Sequence, residues 1–434
     1  RGEPASRAPT GHKERAGGER RKRRPTKAHL RVATLNMRGY RTAGDPNMEG
    51  KWLQVNQVLR EKRIAVLALQ ETHLSAERVK MLNDLFKENM EVVYSADPEN
   101  ETGARGVAFA INKRFVKQPK YTTIEVVPGR AAVLDLKWSD SRQLRMLNVY
   151  GPNDPHQNAK FWSDLRECEQ TRNVDMVLGD LNVVTSPMDR IPERSDGEEP
   201  VRELDTFIES RNLVDGWRLT NAHKRAYTYL QRSTGSQSRI DRVYARRDIL
   251  QDADNWDILE PGLITDHRLA LVDIADRKAP FTGKGRWVMP KHLLTDEKMK
   301  KKMREIGAQL VAEIGRIGVR TANENPQKAY ATFKERLVLA ARQRAKEKVP
   351  RMQKQIERLR EDVQRTLNTD ATTNRKEAAP SLDADRIQHA AILQDRLDRL
   401  EQKRFETARR CVAARHKIQD EMMTKRWARS AGTT

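Results

Sequence analysis

From residue 30 the chain sets short apolar runs between polar turns. The runs lie at 30–35, 64–69, 106–111, 131–138, 144–150, 176–178, 239–245 and 269–274, and each reads as a β-strand. Between some of them apolar positions recur at helical spacing, predicting helices at 52–62, 76–89, 157–171 and 201–211. Strands outnumber helices and several follow one another directly, which fits a layered α/β sandwich better than a strictly alternating parallel fold. After about Pro280 the strands stop, and residues 295–317, 328–348, 351–367 and 380–427 read as helices. In the third of these, Met352, Ile356, Leu359 and Val363 form one apolar stripe. The break at 368–379 allows the last two helices to fold back as an antiparallel hairpin, with a short coiled coil as the expected packing.

Charge divides the chain in the same places. Net charge is +22 over 434 residues, of which residues 1–29 carry +7 and residues 291–434 carry +14, leaving the middle close to neutral. The expected organisation is a basic disordered arm (1–29), a folded domain (30–278) and a basic helical region (279–434). Cationic segments of this kind favour polyanions without reading sequence. For Arg21, Lys22, Arg23 and Arg24 nucleic-acid contact or nuclear import is expected. The C-terminal cations alternate with acids and serve equally well as solvated helix faces. No apolar run approaches the ~20 residues of a membrane-spanning helix. The N-terminus is polar and starts at Arg1, so the natural start is expected upstream, and no secretory signal is read. Two cysteines, Cys168 and Cys411, exclude a disulfide framework or a Cys-rich zinc site and suggest a reducing compartment.

One regularity points to chemistry. Polar residues follow the C-terminal ends of the expected strands: Asn36, Glu71, Tyr150, Asp180 with Asn182, and Asp266-His267 before the last strand. Each alone reads as an ordinary turn residue. Together they supply carboxylates, amides and one imidazole without a Ser or Cys nucleophile motif.

The segments Thr34-Leu-Asn36-Met-Arg-Gly39, Leu69-Gln-Glu71-Thr72, Asn148-Val-Tyr150-Gly-Pro152, Gly179-Asp180-Leu-Asn182, Ser238-Arg-Ile-Asp241 and Thr265-Asp266-His267 resemble, in order, the motifs of the endonuclease/exonuclease/phosphatase superfamily. The resemblance covers about 245 residues. It implies a four-layer α/β sandwich like that of deoxyribonuclease I, followed here by an all-α, partly coiled-coil region. It also implies metal-dependent phosphodiester hydrolysis, with Mg²⁺ as the ion or Mn²⁺ in its place. Mg²⁺ takes hard oxygen ligands and keeps several waters, so one or two carboxylates hold it. By the resemblance Glu71 is the principal ligand, with Asn36 and Asp266 nearby. Asp180 orients or deprotonates the attacking water beside Asn182, His267 donates to the phosphate, Asp241 fixes the imidazole, and Tyr150 helps hold the phosphate. The sequence departs from some relatives at Arg38, where they carry an acid that helps the metal site. That leaves the number of ions open.

Residues 182–192, with Val-Val-Thr-Ser-Pro-Met-Asp189-Arg190, resemble endonuclease domains of non-LTR retrotransposons, and Lys284-Gly-Arg-Trp287-Val-Met-Pro290 followed by Leu293-Leu294-Thr-Asp296 resembles the linker after them. This implies nicking of target DNA to leave a 3′-hydroxyl that primes reverse transcription. DNA and the element's RNA become the expected partners, in nucleus and cytoplasm. No Tyr-x-Asp-Asp polymerase motif occurs before Thr434, so the expectation is a nuclease with its connector but without the polymerase. A cellular repair nuclease at abasic sites is the alternative within the superfamily. A catalytically inactive nucleic-acid-binding or assembly module is the alternative outside enzymology.

Overall fold

The apolar runs pair into two sheets stacked face to face. The computed structural model describes residues 29–41, 50–116, 120–139, 142–276, 287, 289–290, 293–322, 324–347, 351–368 and 384–420. From edge to edge the first sheet contains β14 (Ala253–Leu259), β15 (Leu269–Ala275), β1 (His29–Asn36), β2 (Val66–Gln70), β4 (Val107–Asn112) and β3 (Met90–Ser95). The second contains β10 (Leu213–Asp215), β13 (Asp241–Arg246), β8 (Met176–Asp180), β7 (Arg142–Tyr150), β6 (Ala131–Ser139) and β5 (Lys120–Val127). A small third sheet joins β11 (Tyr229–Leu230), β12 (Gln237–Ser238) and β9 (Arg190–Ile191).

Each six-stranded sheet has one parallel pair, β1 with β2 and β7 with β8. Parallel neighbours need a crossover, and the helices supplying it are α1 (Gly50–Glu61) and α3 (Pro155–Glu167). The start of α3 is set locally: the Asp154 carboxylate accepts the Gln157 N–H at 3.0 Å, and Pro155 occupies the first turn, where its missing N–H costs nothing.

Side chains of the strands alternate between two apolar layers. Leu30, Val32, Val66, Ala68, Phe109, Leu134, Met146, Leu178, Val243 and Val272 fill the space between the sheets. The opposite face of the first sheet packs on α1 and α2 (Ala76–Leu85) through Trp52, Val55, Leu59, Leu67 and Leu82. The opposite face of the second packs on α3 and α4 (Glu198–Ser210) through Trp162, Leu165, Val177, Leu204 and Phe207. The result is the expected four-layer α/β sandwich. Short helices α5 (Gly216–Thr220) and α6 (Arg247–Leu250) flank β13.

The helix expected over 76–89 stops at Leu85, because Asn83 stitches it to β3. Its amide donates to Val92 O at 3.0 Å and its oxygen accepts the Val92 N–H at 2.8 Å. The eight expected strands correspond to β1, β2, β4, β6, β7, β8, β13 and β15, while the edge strands β3, β5, β10 and β14 were not legible.

The later part of the chain is helical: α7 (Glu297–Arg316), α8 (Pro326–Glu347), α9 (Arg351–Asn368) and α10 (Ala384–Asp420). Asp296 caps α7 and accepts two hydrogen bonds from Arg344 of α8, at 2.8 and 3.0 Å. Trp287, Leu293, Met299 and Ala341 pack between α7 and α8. The α9 stripe meets α10 in antiparallel sense: Met352, Ile356 and Leu359 cluster with Leu393, Leu397 and Leu400, whereas Val363 and Leu367 cluster with Ile387 and Ala390. Among the described residues no helix is long and apolar enough to cross a membrane.

The α9–α10 hairpin is seated on the sandwich. Phe405 of α10 is 1 % exposed and joins the apolar layer over the first sheet, beside Leu263 and Leu269. Gly262, at φ +77°, makes room for it, since a Cβ there would lie 2.3 Å from the Phe405 ring. Arg360 of α9 donates to Glu260 at 2.7 and 3.0 Å, and Asn368 pairs with both backbone groups of Arg225 at 2.8 and 3.2 Å. Truncating a buried Phe costs about 3–5 kcal/mol through lost transfer energy and the cavity left behind. Phe405→Ala is therefore expected to lower unfolding stability by that amount, measured in denaturant with far-UV and tryptophan signals. A loss confined to helix signal, with the sandwich transition unmoved, would show that α10 is not part of this core.

Candidate active site

In three central strands the inward-facing row of side chains is apolar at one end of the sandwich and polar at the other. In β1 it reads Leu30, Val32, Thr34, Asn36; in β7, Leu144, Met146, Asn148, Tyr150; in β8, Met176, Leu178, Asp180. The first polar layer is fully buried. Gln70 Nε2 donates to Asn148 Oδ1 at 2.6 Å and to Thr34 Oγ1 at 3.0 Å, and Asn148 Nδ2 donates to the carbonyls of Leu69 and Ala108 at 3.1 and 2.9 Å. Buried amides require such partners, so this layer ties β1 and β2 to β7 across the two sheets.

Above it lie the residues singled out in the sequence. The buried Asn36 amide donates to Glu71 Oε1 at 2.8 Å and to Asp180 Oδ2 at 2.9 Å, bridging the two sheets. Tyr150 OH donates to the same Glu71 oxygen at 3.0 Å. Burial and the charges of Glu71 and Asp180 push the Tyr150 hydroxyl well above its usual range, so it remains a donor. The Asn182 N–H donates to Asp180 Oδ1 at 3.1 Å, and the Asn182 amide donates to Gly151 O at 2.9 Å. Gly179 allows β8 to approach β7 just before Asp180, because a Cβ would lie 1.9 Å from Val149 O. Glu71, Asn182 and Arg38 all adopt positive φ, at 50°, 53° and 53°. Backbone strain of this kind costs of order 1 kcal/mol or more per residue and persists where the surroundings enforce it.

On the second-sheet side, His267 Nδ1 is 2.9 Å from Asp241 Oδ2, while Nε2 lies 4.0 Å from Asp180 and 3.9 Å from Asp266. A carboxylate partner assigns the proton to Nδ1 and leaves Nε2 turned towards Asp180 and Asp266. Burial alone would lower the imidazole, but Asp241, Asp180 and Asp266 outweigh it and push it up to about 10. Burial and the nearby Asp241 raise the Asp180 carboxyl, with His267 and the Asn36 amide opposing. Thr265 Oγ1 donates to Asn36 O at 3.0 Å and accepts the His267 N–H at 3.2 Å, so this segment is fastened to the end of β1.

Asp180, Asp241 and His267 offer ligand atoms within 4.8 Å of one another. The Nδ1–Asp241 hydrogen bond engages two of them, so we read the trio as an oriented His–Asp pair facing a second carboxylate rather than as a metal cage. A divalent cation fits better on the other side. Among the described residues both donors to Glu71 fall on Oε1, and the buried Asp266 Oδ1 has no hydrogen-bond partner. Oxygen donors of this kind suit Mg²⁺. Arg38 takes the second Asp266 oxygen at 3.0 Å, so a cation stands in the place of the acid found in some relatives.

The structure thus gathers Asn36, Glu71, Tyr150, Asp180, Asn182, Asp241, Asp266 and His267 at one end of the sandwich. Arg21, Lys22, Arg23 and Arg24 lie outside the described residues. Thr34, Gln70 and Asn148 were missed as a supporting layer, although each lay inside or beside a motif. Asp189 belongs to a buried ion cluster: Arg239 donates to it at 2.7 and 2.8 Å, Arg242 at 3.3 Å, and Arg218 joins them. Against the effect of burial, Arg242, Arg239 and Arg218 hold its carboxyl well below the usual range. The cluster anchors the chain immediately before Asp241.

Three solved structures similar to the chain are an AP endonuclease from Leishmania major, the endonuclease domain of TRAS1, a telomere-specific non-LTR retrotransposon, and a 3′-5′ exonuclease from Neisseria meningitidis. Their identities are 16 %, 16 % and 18 %, with TM-scores of 0.49, 0.41 and 0.44. They cover 57 %, 58 % and 57 % of this chain and 88 %, 100 % and 100 % of their own. Residues 33–267 match the model of the Endonuclease/Exonuclease/phosphatase family. Because that match spans more than half of the chain, the chain belongs to the endonuclease/exonuclease/phosphatase family, whose members are phosphodiesterases and nucleases that typically depend on a divalent metal.

Proposed function

We propose that the chain is a DNA endonuclease that nicks target DNA with Mg²⁺, or Mn²⁺ in its place, and leaves a 3′-hydroxyl able to prime reverse transcription of a non-LTR retrotransposon. The observation that carries this reading is the Asn36 amide. It holds the Glu71 and Asp180 carboxylates side by side, and Asp180 in turn faces His267 Nε2. That arrangement sets a cation-binding acid, a water-orienting acid and a phosphate donor around one space.

Glu71, with Asn36 and Asp266 beside it, would hold the cation, which would supply neutralisation of the phosphate charge. Asp180 accepts the proton of a water whose oxygen attacks phosphorus, and Asn182 fixes Asp180 through its backbone N–H. His267 donates from Nε2 to a non-bridging phosphate oxygen while Asp241 fixes the ring. Tyr150 fixes Glu71 through its hydroxyl. The bond from phosphorus to the 3′ oxygen breaks, that oxygen takes up a proton from solvent water, and the phosphate remains on the 5′ side. Residues 186–200 and 231–237 would contact flanking DNA. The basic arm and the α7–α8 pair would add phosphate contacts to DNA and to the element's RNA, and the arm suits passage from cytoplasm to nucleus. The helical region 279–434 is read as the connector that precedes a reverse transcriptase.

With supercoiled plasmid, the parent protein is expected to form open circles with Mg²⁺ and none with EDTA. Glu71→Ala should abolish this, and His267→Ala should slow it roughly 10²–10³-fold, the usual cost of a lost transition-state donor. Nicks mapped in intact duplex support target nicking, whereas cutting confined to abasic sites would turn the reading to repair. Folded parent protein that binds the plasmid and leaves it closed would establish a binding module instead.

Replacing Arg21, Lys22, Arg23 and Arg24 by Gln is expected to weaken duplex binding and reduce the slope of log affinity against log salt by up to about 3–4. Metal-dependent nicking at low salt should persist. An unchanged slope in fluorescence anisotropy would show that these cations do not touch phosphates.

A further inference from the structure

We propose that the α9–α10 hairpin is a positioning element of the active site, with Asp398 on α10 fixing His267 through its neighbour Arg268. The proposal rests on the nuclease reading for its rate consequences, though not for its geometry.

Arg268 is buried directly behind the catalytic end. Its backbone N–H donates to Thr228 O at 2.6 Å and its Nη1 to Tyr227 O at 2.6 Å, so one residue grips two successive carbonyls. The gripped segment supports the site in three ways. Thr228 Oγ1 accepts the Asp241 N–H at 3.0 Å, the Tyr229 ring lies 5.0 Å from the His267 ring, and the Leu230 N–H donates to Asp266 O at 3.1 Å. Any shift of residues 227–230 therefore moves the supports of Asp241, His267 and Asp266 together.

The guanidinium needs a counter-charge to stay where it is. Its Nε has no hydrogen-bond partner, and among the described residues the one acid within 4.0 Å is Asp398, at 3.9 Å. Asp398 is itself held by Gln394, whose Nε2 donates to it at 3.2 Å. Removing one partner of a buried ion pair leaves the other charge uncompensated, so without Asp398 the guanidinium would move towards water or another acceptor. The hairpin is anchored firmly enough to impose this geometry. Tyr227 packs against Val363, Leu367 and Ala390 of the hairpin, Arg360 pairs with Glu260, and Phe405 is seated in the core. The same helix thus presses on the ring of Tyr227 and supplies the charge that holds its carbonyl's donor.

The test uses the full chain and compares Asp398→Asn, Asp398→Glu and, as a surface control on the same helix, Arg399→Gln. Nicking kinetics and the His267 Nδ1–H signal of ¹⁵N-histidine-labelled protein are read for each, at a temperature where the protein is folded. Asp398→Asn is expected to lower kcat by up to about 100-fold, the cost of a small misplacement. KM should change little, the His267 signal should shift or broaden, and Asp398→Glu should recover part of the loss. Arg399→Gln should match the parent in both measurements. Unchanged kcat and an unmoved His267 signal in folded Asp398→Asn would overturn the proposal, leaving the hairpin as a structural clamp; a rise in KM alone would do the same. If Asp398→Asn does not fold, Arg268→Lys, which keeps the positive charge but loses the Nη1 donor to Tyr227 O, is read instead, and an unmoved His267 signal there overturns the proposal. A parent that never cuts defeats the nuclease reading alone, since the resonance still reports whether Asp398 positions His267.

Discussion

Gln70 lies with no exposed surface between two sheets whose other inward residues are largely apolar, and its amide has to find partners there. It finds Thr34 on its own sheet and Asn148 on the facing one. The requirement is strict, because an unpaired buried amide costs about 1–3 kcal/mol. A one-residue slip of β1, β2 or β7 would also turn these side chains to the opposite face. The layer therefore fixes the register at which the two parallel pairs present their C-terminal ends. Asn36, Glu71, Tyr150 and Asp180 take their positions from it, and the hydrogen bonds from Asn36 to Glu71 and Asp180 become possible only at that register.

Above this layer the difficulty changes from unmet hydrogen bonds to unbalanced charge. Four acids, Glu71, Asp180, Asp241 and Asp266, converge, with Arg38, His267 and the buried Lys51 near them. Burial and Arg38 lower the Lys51 ammonium to about 8, with Asp266 and Glu71 opposing. Like charges held together in a poorly solvated space favour any cation that can enter. Arg38 and His267 pair with Asp266 and Asp241, whereas among the described residues only one oxygen of Glu71 accepts a hydrogen bond. The positive φ angles at Arg38, Glu71 and Asn182 fit the same picture: backbone strain persists where the surrounding structure holds these groups together.

What was legible follows from burial. The eight strands readable in the sequence are the inner strands of both sheets, covered on both faces, so their residues form near-continuous apolar runs. The four strands missed in these two sheets are their edges, and the two-residue strands β9, β11 and β12 of the third sheet are too short to leave a pattern. β14, Ala-Asp-Asn-Trp-Asp-Ile-Leu, and β5, Lys-Tyr-Thr-Thr-Ile-Glu-Val-Val, are largely half-exposed, so neither an apolar run nor clean alternation marks them. The site was legible because its residues sit at strand ends inside short motifs. The Asp189 cluster was not, because its cations come from Arg218, Arg239 and Arg242, and no local spacing joins them to Asp189. The apolar stripe of α9 was readable, but a stripe says only that a partner exists. Its two partners, α10 and the rim of the sandwich around Tyr227 and Ile191, are set by tertiary packing.

The seat of Phe405 shows why the hairpin and the sandwich act on each other. Helices α1 and α2 cover the outer face of the first sheet, and their apolar layer continues to Leu263 and Leu269. Phe405 completes that layer, and Gln57 of α1 donates to its carbonyl at 3.1 Å. Apolar seating alone would leave α10 free to roll about its axis. The ion pair Arg404–Glu61, at 3.1 Å, and Arg360 of α9, which pairs with both Glu260, at 2.7 Å, and Glu401 of α10, at 2.5 Å, restrict that rotation. Once α10 is fixed in rotation, the side on which Asp398 lies is fixed too, and that side faces Arg268. A contact that begins as burial of one aromatic ring thereby becomes a constraint on the residue next to His267.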